Sequence, residues 1–171
     1  MTKSIFKLSV LILSILFINS CSNNDDNTAT RSADKIEITI DNGTPLSYST
    51  NIVATDYPLA AQTGFQCVFK ITSKDDVSTD TFGFTYGITT DPCPVIIATP
   101  ATFILNGPEI GALNIQGIDI DYNNAGNSIT FTYNVFGNNP GDDIKIIFSG
   151  NYFDSLGVSH TISGDIDIKR S

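Results

Sequence analysis

The sequence contains no tryptophan, one histidine (His160), one methionine and three cysteines, Cys21, Cys67 and Cys93. Basic residues are scarce as well: 9 Lys and Arg stand against 18 Asp and Glu, for a formal net charge of −9. A field of that sign repels phosphate backbones and anionic headgroups, which excludes nucleic acid as a partner of the folded body. A lone histidine provides no zinc site once the cysteines have other roles. The chain also lacks a glycine-rich phosphate loop and a nucleophile motif. No window carries an apolar stripe at helical spacing for three turns, so little helix is expected. Beyond residue 20 no apolar run is long enough to cross a bilayer as a helix.

The N-terminus is different in character. Lys3 and Lys7 flank the start of the apolar run LSVLILSILFI, residues 8–18, and Asn19 and Ser20 then lead to Cys21. A positive segment, a short greasy segment and a polar exit form the layout of an export signal, too short to span a membrane comfortably. Ile18, Asn19, Ser20 and Cys21 resemble a bacterial lipobox, in which the cysteine thiol is acylated before cleavage. The resemblance implies that residues 1–20 are removed and that Cys21 is the lipid attachment site. Acyl chains then supply the membrane anchor.

After Cys21, the stretch SNNDDNTATRSAD (22–34) holds no large apolar residue and is expected to act with it as a tether, residues 21–34. Asn23, Asn24, Asp25 and Asp26 resemble the acidic export signal of surface lipoproteins in Bacteroidota. That resemblance implies an outer-membrane protein facing the outside, with a periplasm-facing one as the alternative. The membrane is then touched through the lipid only.

From residue 35 the period of the pattern is two. Ile36, Ile38 and Ile40 share one face of KIEITID; Ile129, Phe131, Tyr133 and Val135 share one face of SITFTYNVF. Val158, His160, Ile162, Gly164, Ile166 and Ile168 line up in the same way near the C-terminus. Such alternation predicts half-buried antiparallel strands. Further strands are expected near 46–54, 63–73, 81–89, 101–105, 112–122 and 143–153, with a β-bulge at Gln116–Gly117 restoring the phase of the 112–122 segment. Turn sequences such as DNGTP and DSLG separate them. About nine short strands with regular turns predict an all-β domain over residues 35–171: an antiparallel two-sheet β-sandwich, with an open β-barrel as the alternative.

Cys67 falls in phase with Phe65, Phe69 and Ile71, and Cys93 lies between two prolines in DPCP. An even pair in an exported chain predicts a disulfide, worth about 3.5 kcal/mol by loop-closure entropy. His160 falls at an inward strand position, where Ser159 and Ser163 turn to the opposite face and cannot join it in a relay. Asp119, Asp121 and Asn123 stand two apart and are the candidate calcium ligands. They fail the helical-loop pattern, because Asn124 occupies the glycine position and Thr130 the final acidic one. No cofactor is expected beyond that calcium.

The expected function is a non-catalytic binding or accessory module at the cell surface, contacting a glycan or a surface protein. Tyr57, Tyr152 and Phe153 are its candidate contact residues. Two alternatives stand beside it. A structural subunit of a surface assembly or adhesin would show an unpaired edge strand. A hydrolase would need two carboxylates converging on a cleft.

Overall fold

β-Branched and aromatic residues alternating with Thr, Asn and Asp suit a pleated surface with one dry face, and the structure is built almost entirely from such segments. The computed structural model describes residues 34–58, 67–74, 80–88 and 93–171; Cys21 and the rest of residues 1–33 lie outside them. Ten strands are present among the described residues: β1 (Lys35–Ile40), β2 (Leu46–Tyr48), β3 (Val53–Pro58), β4 (Cys67–Lys74), β5 (Asp80–Ile88), β6 (Ala101–Asn106), β7 (Leu113–Ile115), β8 (Ser128–Phe136), β9 (Asp143–Phe153) and β10 (Ser159–Lys169). They form a six-stranded sheet, β2-β1-β10-β9-β8-β6, and a four-stranded sheet, β3-β4-β5-β7. Every pairing is antiparallel. The fold is therefore an all-β sandwich of two open sheets. No helix among the described residues is long and apolar enough to cross a membrane.

The core lies between the sheets and is rich in aromatics. Phe84 of the four-stranded sheet stacks on Phe131 of the other at 4.7 Å, and Phe131 stacks on Phe148 at 5.0 Å. Gly164 continues that column across the sheet: a Cβ there would lie 2.2 Å from the Phe148 ring, so only glycine lets the ring lie down on β10. Cys67 at the start of β4 is joined to Cys93 by a disulfide with a Cα–Cα distance of 5.4 Å. The bridge fastens the β5–β6 connection to the four-stranded sheet.

Three segments depart from the alternation reading. The 46–54 stretch is two strands in different sheets, because Asn51 takes a left-handed backbone (φ 48°) and the chain crosses from one sheet to the other there. The 112–122 stretch is strand only over Leu113–Ile115, preceded by a 3-10 helix, Gly107–Ala112, and followed by a turn in which Gly117 has φ 80°. No bulge forms at Gln116–Gly117. A register shift falls instead between Tyr133 and Val135 in β8, which turns Val135 outward and buries Phe136. The larger ring gains more by burial than the valine loses.

Candidate functional site

Where the two sheets part, between β5 and β6, the surface carries an apolar groove of about 570 Å³. Val68, Tyr86 and Gly87 form its wall on the four-stranded sheet; Phe103 and Leu105 form the wall on β6. Glu109, on the 3-10 helix beside β6, is its only carboxylate among the described residues. Tyr86 and Phe103 meet at 4.9 Å, and both contact Tyr133 behind them, at 6.2 and 5.2 Å. The Tyr133 hydroxyl is buried with no hydrogen-bond partner among the described residues, and burial pushes its ionisation far upward. Glu109 is held in place from its own helix start: its Oε2 accepts from the Asn106 N–H at 3.2 Å.

The groove exists because β7 is short. It pairs with Phe82, Gly83 and Phe84 of β5 and no further. Pro108 and Gly107, with φ 51°, set the preceding residues into the 3-10 turn rather than into a longer strand. Thr85, Tyr86 and Gly87 are consequently left without a neighbouring strand on that side among the described residues.

At a separate place the turns gather the charged groups. Asp41 and Asn42 form the β1–β2 turn with left-handed backbone at φ 50° and 55°, a conformation these two residue types tolerate. Asp154 caps the β9–β10 turn: its Oδ1 accepts from the N–H groups of Leu156 and Val158 at 2.9 and 2.8 Å. His160 lies between the two carboxylates, with Nδ1 2.7 Å from Asp41 Oδ2 and Nε2 3.3 Å from Asp154 Oδ2. Its ring stacks on Tyr152 at 5.1 Å. The hydrogen bond to Asp41, then that to Asp154, raises the His160 pKa above its ordinary 6.5. Asp41 is held below the usual carboxylate range, first by the bond to His160. When protonated, the ring donates to both carboxylates, one from each nitrogen.

The calcium candidates do not converge. Asp119 Oδ2 accepts from the backbone N–H of Ser155 at 3.2 Å and from its hydroxyl. Asp121 Oδ1 accepts from the Asn123 N–H at 3.0 Å, an Asx turn within one loop. These residues follow the short β7 rather than standing on a strand, so they do not share a face. Among the described residues no three His, Cys, Asp or Glu side chains are grouped to hold a metal.

The aromatic candidates are also dispersed. Tyr57 is half exposed on β3, in the four-stranded sheet. Tyr152 and Phe153 belong to β9 in the other sheet. Tyr152 is only 3% exposed, so it packs against the fold and offers no contact surface, contrary to the expectation. His160 is about a quarter exposed, at the rim, and Val158 precedes β10 and is exposed.

Sequence reasoning passed over Arg170, the penultimate residue. It is 3% exposed, with its guanidinium 5.0 Å from the Phe69 ring centre and 5.1 Å from that of Phe136. Nη1 donates to Gly137 O at 2.7 Å, while Nη2 donates to Val95 O at 3.2 Å and to Asp56. The Val95 N–H in turn donates to Asp56 Oδ1 at 3.0 Å. This is a clasp between sheets. Its only sequence signal was a basic residue directly after the inward Ile168 and outward Lys169.

Comparison with protein-family models, curated proteins and solved structures gives no match.

Proposed function

We propose that this chain is an exported lipoprotein, anchored through acylated Cys21 to the outer membrane and displayed at the cell surface. Its β-sandwich acts there as a non-catalytic binding module, with the β5–β6 groove as its contact surface. The groove carries the reading: a concave apolar surface with two aromatic walls and one carboxylate is the common make-up of a ligand site. The non-catalytic reading is supported by His160, which has both nitrogens engaged, and by Glu109, which faces no second carboxylate among the described residues of the groove. The anchor rests on the position of Cys21 at the end of the apolar run.

A benzophenone side chain placed at Ile104, on β6, tests the contact surface in intact cells, with the same group at exposed Ser163 as the control. The proposal expects a discrete adduct from position 104 and none from 163. Equal labelling from both, or none from 104, overturns it. For the anchor, a palmitate analogue should label the wild type and leave Cys21→Ala unlabelled. An unlabelled wild type removes the lipoprotein reading.

The second reading, a subunit of a surface assembly or adhesin, is favoured by one observation. The outer edge of β6 has no partner strand among the described residues.

A further inference from the structure

We infer that the groove accepts an extended segment of a partner protein, apolar at alternate positions and carrying a basic residue, which pairs as an added strand on the outer edge of β6. The inference rests on the groove reading above and states the chemistry of its ligand.

Open sheet edges invite foreign strands, and proteins defend them by shortness, proline, charge or cover. Three of the four edges here are defended. β2 and β7 have three residues each. β3 carries Asp56 and ends at Pro58. It is also covered by Ser171: the Ala54 N–H donates to Ser171 Oγ at 3.1 Å, and the Ser171 N–H donates to Ala54 O at 2.8 Å. Among the described residues β6 has none of these defences. Its six residues, ATFILN, include no proline and no charge, and they pair with β8 in unbroken register. Alternate residues of such a strand turn their N–H and C=O groups away from the partner.

A second open edge faces the same space. Beyond Phe84, the β5 residues Thr85, Tyr86 and Gly87 have no partner on the β7 side among the described residues, and all three line the groove. The groove therefore lies between an unpaired edge of each sheet. Phe103 and Leu105, the inward side chains of β6, are only half-buried. An added strand with apolar residues at every second position would cover them, as peptide-binding sheets do.

Charge chooses the occupant. Glu109 is the groove's one charged residue among the described residues, and the chain has a formal net charge of −9. A second copy would bring the same negative charge and, through its own ATFILN, no cation. A foreign basic segment meets both conditions.

Three dye-labelled peptides test this by fluorescence anisotropy. One alternates valine and threonine around a single lysine. The second has glutamate in place of that lysine. The third keeps the lysine but is N-methylated at alternate amides, which preserves its side chains and blocks strand pairing. The lysine peptide should bind, and the glutamate peptide should bind about threefold more weakly or worse. The methylated peptide should not bind. Glu109→Gln retains an acceptor for the Asn106 N–H and should erase the preference for lysine. Ile104→Lys, which charges the edge from an exposed position, should weaken all binding while the circular dichroism spectrum stays unchanged.

Equal binding of the methylated peptide would overturn strand addition and leave the groove reading standing. Failure of every peptide, with the apolar dye Nile red still bound, would do the same. Exclusion of both peptides and Nile red would remove the two together. Sedimentation showing a dimer that Ile104→Lys dissolves would assign the edge to a second copy and overturn the inference.

Discussion

Asp41 and His160 are 119 positions apart in the chain, and their side chains meet at 2.7 Å. The contact ties the β1–β2 turn to the start of β10, and Asp41 Oδ1 strengthens it by accepting the Thr161 N–H at 2.8 Å. Asp154 completes the arrangement from the other ring nitrogen.

This contact makes stability depend on pH with a definite sign. The folded-state pKa of His160 is raised above 6.5, so its contribution is fully present below the unfolded value and is lost as pH rises through the folded one. Asp41 and Asp154 are lowered from 3.8; Asp41 chiefly by His160, Asp154 chiefly by the Val158 N–H. Their contribution is present above the ordinary carboxylate value and is lost as pH falls through the lowered ones. His160→Gln should therefore reduce the melting temperature most near about pH 5.5 and least near about pH 9. A difference from wild type that stays constant across that range would show that the ion pair is not what the histidine contributes.

Arg170 joins both sheets from a buried position. Arg170→Ala leaves Asp56 nearly buried without its cation and strips the guanidinium from Phe69 and Phe136. The expected loss is about 3 kcal/mol, read from urea denaturation. Arg170→Lys should recover little, since a single ammonium cannot serve Gly137 O, Val95 O and Asp56 in their separate directions. Full recovery by lysine would reduce the clasp to a simple charge contact.

Tyr133→Phe should move stability the opposite way. The lost hydroxyl has no bond to lose among the described residues, and an apolar edge suits its surroundings of Tyr86, Phe103 and Phe136. An increase of about 1 kcal/mol is expected in the same denaturation. Destabilisation of that size would mean that the hydroxyl has a partner in solution.

The sequence made the sandwich legible because burial on one face leaves a period of two, clearest in Ile36–Ile38 and Ile162–Ile168. Cys67 was readable by its phase with Phe69 and Ile71, and its pairing with Cys93 by even number once the chain is read as exported. Other features leave no local trace. Alternation does not distinguish an edge strand from a central one, so β6 read like any other strand. The groove needs β5, β6 and an early end to β7, three segments whose meeting depends on topology. The shift at Tyr133–Val135 is decided by which of two adjacent apolar residues fills the core. Tyr152 looked exposed because its sequence neighbours are turn residues, yet the same hairpin folds its ring under His160. Arg170 was passed over because no pattern marks a buried cation.

Residue-resolved amide hydrogen exchange on the β-sandwich tests the open edge most directly. The account predicts that alternate amides across Ala101–Leu105 exchange as fast as exposed turns, while their neighbours, bonded to β8, are slow. It also predicts that the fast set slows when the lysine peptide is added. Uniform slow exchange along β6 in the free protein, matching the centre of β8, would show that the edge is already occupied and would contradict the account.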